Sequence, residues 1–282
     1  MGLTVIFRRE TQDTVLSKNF LIYLILLGLP VVMSVWFSWR MYEDPSILAR
    51  MTFMLPEPIQ VVTPMICMMT YLDMTTFSIA LVAVLHASDF IAGEQDRGML
   101  TLLVSKPMPR WHIILGKYLS FMLVFLPLLT LNLLLMATSI NLIGIGTVEG
   151  DVFAGYLFAV LFYGIVYASI TTLSSVLSTK PSVASLGTII FLILWIILDF
   201  MTIYLPQNTA DFLSNFSLSH HINIVLGFVS NGEAAIFVRG GIAKDPSFET
   251  LTYSLSAILL PLTLLPVLTS LLILEKKDVQ SR

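Results

Sequence analysis

Six long apolar runs limit what this chain can fold into more than any other feature. They lie at about residues 20–39, 63–85, 109–140, 152–177, 183–204 and 251–274. Each is near or above the roughly 20 residues that a helix needs to cross a bilayer. Hydrophobic residues make up 56% of the 282, charged residues only 12%, and mean hydropathy is +0.88. A soluble chain of this length cannot hide so much apolar surface in one core, so lipid is the expected solvent. The expected fold class is an all-α membrane protein with six transmembrane helices, one domain over residues 1–282. A net charge of −3 gives no reason to expect nucleic acid, and the single Cys67 rules out an intramolecular disulfide. No cleavable signal peptide is expected, because the first run is too long for one and lacks a small-residue cleavage site.

The third run exceeds the hydrocarbon. At 1.5 Å per residue it reaches roughly 48 Å against a core of about 30 Å, so its first turns must leave the bilayer or bend, with Pro127 as the natural bend point. Orientation follows from Lys and Arg. With the N-terminus inside, the inner segments hold eleven of them and the outer segments four. Both termini are therefore expected in the cytoplasm, with the protein multi-pass in the cell (inner or plasma) membrane. Residues 2–18 place Leu3, Ile6 and Phe7 on one side and charges after them, which suits an N-terminal interfacial helix or, alternatively, a frayed polar terminus. In the outer loop, 206–250, Ile222, Val225, Leu226 and Val229 fall at helical spacing, so short outer-face helices are expected between spans five and six.

The longest polar interruption on the inner side is Asp89–Lys117, DFIAGEQDRGMLTLLVSKPMPRWHIILGK. Gly93 and Gly98 punctuate its first half, Pro107 and Pro109 its second. Between them Met99, Leu102 and Leu103 make one apolar face of a short helix. The prolines end that helix, and Pro109 is suited to begin the next. An apolar-faced helix just outside a bilayer needs a cover, either headgroups or a protein. No G-x-x-x-x-G-K-[ST] loop occurs, so the chain does not bind ATP itself in the usual way.

These residues resemble the loop between the second and third spans of type-two permeases of the ATP-binding cassette (ABC) transporters, of exporter type. The resemblance is carried by Gly93-Glu94, Gly98 with Thr101-Leu102-Leu103, Ser105-Lys106-Pro107, Arg110 and Leu115-Gly116-Lys117. The tail Leu274–Val279 resembles the family's basic ending. Leu218–Gly227 resembles its outer-loop Ser-Pro-aromatic stretch, with His220 near the place of the missing proline. The resemblance implies six spans per subunit, a second permease copy (homodimer or heterodimer) and two cytoplasmic ABC ATPase subunits that bind ATP and Mg. It makes the segment around Gly98–Val104 a cytoplasmic coupling helix seated in a groove on the ATPase. The implied coupling contacts are Glu94, Asp96, Arg97, Met99, Leu102, Leu103, Lys106 and Arg110, the charges forming the rim that sets register. It also implies no cofactor and no catalytic residue in this chain.

A carboxylate within a span normally faces protein or water rather than lipid. Asp73, with Thr70 nearby, reads either as a polar point on a translocation path or as a hydrogen-bonded packing residue; Asp199, nearer the interface, reads as packing. The Met65–Met69 run with Cys67 has soft ligand atoms, but Met also fills apolar packing, and no metal is expected there or at His220-His221. Gly155/Ala159 and Gly164/Ala168 are small-xxx-small pairs for close helix approach. Ser169, Thr171, Thr172, Ser174 and Ser175 either bond backbone carbonyls or line a path. The rival reading from another class is a membrane scaffold or signalling component whose 89–117 loop docks a non-ATPase partner.

Overall fold

The computed structural model describes residues 2–51, 61–100, 109–229 and 247–276. Among them the chain is helical and forms no strand. In order come α1 (Gly2–Leu16), α2 (Lys18–Glu43), α3 (Pro45–Met51), α4 (Pro64–Ala87), α5 (Ala92–Asp96), α6 (Trp111–Ile143), α7 (Gly150–Leu177) and α8 (Pro181–Tyr204). Then follow α9 (Gln207–Ser214), α10 (Leu218–Val229), α11 (Phe248–Tyr253), a π turn (Ser254–Leu259) and α12 (Leu260–Lys276). Six of these, with α11, the π turn and α12 counted as one, are long and apolar enough to cross a membrane.

Local chemistry sets the ends. Thr63 caps α4 by accepting a hydrogen bond from the Ile66 N–H, with Pro64 in the first turn. Gly144, at φ +88°, closes α6 in a left-handed conformation open to glycine. α6 runs 33 residues without a break at Pro127, the expected bend point, and it begins at Trp111 rather than Pro109. The His112 N–H bonds the Pro109 carbonyl at 3.1 Å, a single tight turn before the helix proper.

The helix at the centre is α7, which packs on α4, α6, α8, α10 and α12. Its small residues permit this. A Cβ at Gly164 would overlap the Phe125 ring of α6, and one at Gly155 would lie 3.0 Å from Val229 Cγ1 of α10. Its hydroxyls mostly serve its own backbone: Ser169, Thr171 and Thr172 each donate to the carbonyl four residues back at 2.7 Å. Tyr118 of α6 adds a bond across to the Ile165 carbonyl at 2.9 Å.

Burial divides the bundle. The apolar stretches of α4 and α7 are 61% and 56% buried, against 17% in α8 and 22% in the last span. The peripheral spans therefore carry the lipid-facing surface. At the far end of the bundle, Leu218, Ile222, Val225 and Leu226 of α10 are buried, with Leu226 against Gly155 of α7. His221 donates from Nε2 to the Asn215 carbonyl at 2.9 Å, which leaves Nδ1 to accept from Ser254 Oγ at 3.1 Å and pins α10 to the π turn.

Candidate functional site

α1, the end of α4, the starts of α6 and α8 and the end of α12 meet at one end of the bundle, called here the terminal end. After Ala87 the chain makes a tight corner at Ser88–Ile91 and enters α5. Ser175 of α7 holds that corner. Its hydroxyl accepts from the Ile91 and Ala92 N–H groups, both at 3.0 Å, and donates to the Ser88 carbonyl at 2.8 Å. Three backbone groups that a corner would otherwise leave without partners are thus satisfied by one side chain.

Both glycines of the corner have structural reasons. A Cβ at Gly93 would overlap the Asp89 carboxylate. Gly98 stands at φ +69° and ends α5 in a Schellman turn, with the Met99 N–H on the Glu94 carbonyl at 2.8 Å and the Gly98 N–H on the Gln95 carbonyl at 3.0 Å. This geometry turns Glu94 inward and brings Arg97 back beside Asp89.

Lys117, on the second turn of α6, is the hub. Its Nζ lies 2.8 Å from Glu10 Oε1 of α1 and 3.1 Å from Glu94 Oε1 of α5. The Lys117 and Glu94 side chains are each 4% exposed, Glu10 20%. Arg97 continues the cluster, with Nη2 at 3.1 Å from Asp89 Oδ2 and 3.8 Å from Glu94 Oε1. Partial burial alone would lower the Arg97 pKa, but Asp89, with Glu94 and Glu10, holds it above its ordinary value. Close approach makes the bridge possible: a Cβ at Gly116 would meet Ile6 Cγ2 at 2.9 Å, so α1 lies directly on α6.

An aromatic layer separates these charges from the apolar interior. His86 stacks on Phe121 at 5.1 Å, meets Phe90 edge-on at 5.4 Å and shares a hydrogen bond with Tyr23 Oη at 3.2 Å. Beside the cluster opens a cavity of about 560 Å³, lined among others by Arg9, Glu10, His86, Asp89, Glu94 and Arg97. Two cations against three carboxylates, mutually paired and buried only at Lys117 and Glu94, join α1, α5 and α6. A buried pair contributes little over an apolar replacement, yet losing one partner costs about 3–5 kcal/mol.

The residues named from the sequence divide as follows. Glu94 departs from the expected rim position: it is 3% exposed, because α6 brings Lys117 against it. Asp96 and Arg97 are exposed and Met99 is half-buried. Leu100, not singled out from the sequence, is 2% exposed. Leu102, Leu103 and Lys106 lie outside the described residues. Arg110 donates to the Leu274 and Glu275 carbonyls at 2.8 and 3.0 Å, capping the end of α12. Thr70 donates to the Ile66 carbonyl of its own helix at 2.9 Å. Asp73 is exposed on α4, within electrostatic reach of Tyr156 and Tyr163. Asp199 Oδ2 accepts from Ser219 of α10. Sequence reasoning missed Glu10, Lys117 and Ser175 as members of one joint. The signal for Lys117 was its place inside an apolar helix, where an ammonium needs a partner.

No group of three or more His, Cys, Asp or Glu side chains able to hold a metal occurs among the described residues. The profile of the family described as "ABC-2 family transporter protein" matches residues 4–279. No curated protein matches the chain.

Proposed function

Because this chain belongs to the ABC-2 transporter family, a family of membrane transport components rather than catalysts, we propose that it is the permease of an exporter driven by separate cytoplasmic ATPase subunits. The terminal end then faces the cytoplasm, as the Lys and Arg count favours. The observation that carries the reading is the Glu10–Lys117–Glu94 bridge. It ties the segment leading into residues 99–108 to α1 and α6, so a push on that segment moves three helices together rather than bending one loop.

In this reading ATP and Mg bind the partner ATPases, whose closure displaces the 99–108 segment. Leu102 and Leu103 supply the apolar contact, and Asp96, Arg97, Met99 and Lys106 border it. The motion passes through the corner held by Ser175 to α4 and α7, and through Lys117 to α6. Glu94 and Arg110 act behind the contact, as a strut and as a cap on α12. Two copies facing each other along α4 and α8 would enclose the path, with Asp73 and Thr70 on its border.

The test is recovery of partners from native membranes by the tagged full-length chain, wild type and Leu102→Asp. The wild type should bring down an ABC ATPase, and the variant should insert normally but lose it. Recovery of a non-ATPase protein through this segment, or an unchanged ATPase yield with Leu102→Asp, would contradict the reading and favour a scaffold.

A further inference from the structure

We propose that the cavity beside the Glu10–Lys117–Glu94 bridge binds the headgroup of a phosphatidylethanolamine, whose primary ammonium is taken by Glu94. The inference does not rest on the ATPase reading: it concerns how the terminal end holds its membrane.

The cavity lies at headgroup level. Its volume, about 560 Å³, is that of a small-molecule site. Its lining includes Asn19 and Pro181, which begin two of the spans, and Leu85 and His86 in the last turn of α4. Three spans therefore leave the hydrocarbon at its walls, where phospholipid headgroups sit. It also borders lipid-facing surface. Leu85 is 48% exposed, and α8, which contributes Pro181, Ser182 and Ser185 to the lining, is buried over only 17% of its apolar stretch. A further wall is α1, the amphipathic helix suited to the interface.

Charge selects the headgroup. Three cations and four carboxylates line the cavity. Arg9 meets Asp13 at 3.4 Å, Arg97 meets Asp89 at 3.1 Å and Lys117 meets Glu10 at 2.8 Å. That pairing leaves Glu94 as the carboxylate in excess. Its Oε1 shares the Lys117 ammonium at 3.1 Å, but its Oε2, on a side chain 4% exposed, has no hydrogen-bond partner among the described residues. A buried carboxylate oxygen without a donor is costly, and a bonded ammonium repays it. Ethanolamine carries three N–H donors, whereas the quaternary ammonium of choline carries none. An anionic headgroup such as glycerol phosphate would add charge to a lining already one negative charge in excess. The phosphate of the zwitterion falls to Arg9, which is more than half exposed beside Asp13 and so is cheaply shared.

The test is native mass spectrometry of the purified full-length chain with equimolar dioleoyl phosphatidylethanolamine, phosphatidylcholine and phosphatidylglycerol. Bound phosphatidylethanolamine should exceed each of the others by at least about tenfold. Glu94→Gln should weaken it about tenfold, and Arg9→Gln about threefold. Ser182→Trp fills the cavity from an exposed position in the first turn of α8, apart from the ion pairs, so it keeps the fold even where Glu94→Gln does not. It should bring the three lipids to parity. Equal retention of phosphatidylcholine by the wild type, a preference for phosphatidylglycerol, or a phosphatidylethanolamine preference that survives Ser182→Trp would overturn the site. Displacement of the lipid by an equal concentration of glycerophosphoethanolamine would assign the cavity to a soluble headgroup and overturn the lipid.

Discussion

Two polar clusters interrupt this apolar molecule, and they are built on opposite plans. At the terminal end Glu10, Lys117, Glu94, Arg97 and Asp89 neutralise one another in a chain of ion pairs. Deep in the spans, the Tyr163 and Tyr167 rings are nearly as buried, yet their hydroxyls make no hydrogen bond among the described residues. The first plan makes a joint: each charge is spent on another element, and the elements lock. The second holds by stacked rings, 5.8 Å between centroids, rather than by charge. Burial alone therefore does not say what a polar residue contributes, whereas the account of its partners does.

The contrast is sharpest when one charge is removed. Lys117→Met leaves the Glu94 carboxylate buried without its ammonium, and should cost about 3–5 kcal/mol, read as a large drop in thermal stability in detergent. Adding Glu94→Gln to it should restore much of the loss, since no buried charge then remains at that position. A middle effect is expected from Ser175→Ala, which strips the acceptor from the Ile91 and Ala92 N–H groups and should cost about 1–3 kcal/mol by the same measurement. Tyr163→Phe removes a hydroxyl that makes no hydrogen bond among the described residues, so its stability should stay within about 0.5 kcal/mol of wild type. A loss there comparable with Ser175→Ala would erase the distinction between the clusters.

The sequence made part of this visible. Six spans were legible because length and hydropathy decide them in lipid. Gly98 could be read as a break because a left-handed helix end is a local event, and α10 because Ile222, Val225 and Leu226 repeat at helical spacing. The joint was not legible. Lys117 and Glu94 are 23 residues apart, Lys117 and Glu10 are 107 apart, and no periodicity links such positions. Glu94 therefore looked like one more loop charge, suited to a rim, until α6 placed an ammonium beneath it. Gly93 was visible as a break but not as the only residue that clears the Asp89 carboxylate. For Ser175, composition allowed a path-lining or a bonding role, and only the corner at Ser88–Ile91 decides for bonding.

The central claim is that Lys117 makes α1 and the α4–α5 corner move as one body with α6. Hydrogen exchange of the purified full-length chain, wild type against Lys117→Met, tests it most directly. Residues 3–16 and 88–100 should lose protection together, while residues 218–229, held by His221 and Ser254, keep theirs. If only one of the two segments loosens, or neither does, the bridge is a surface contact and the joint does not exist.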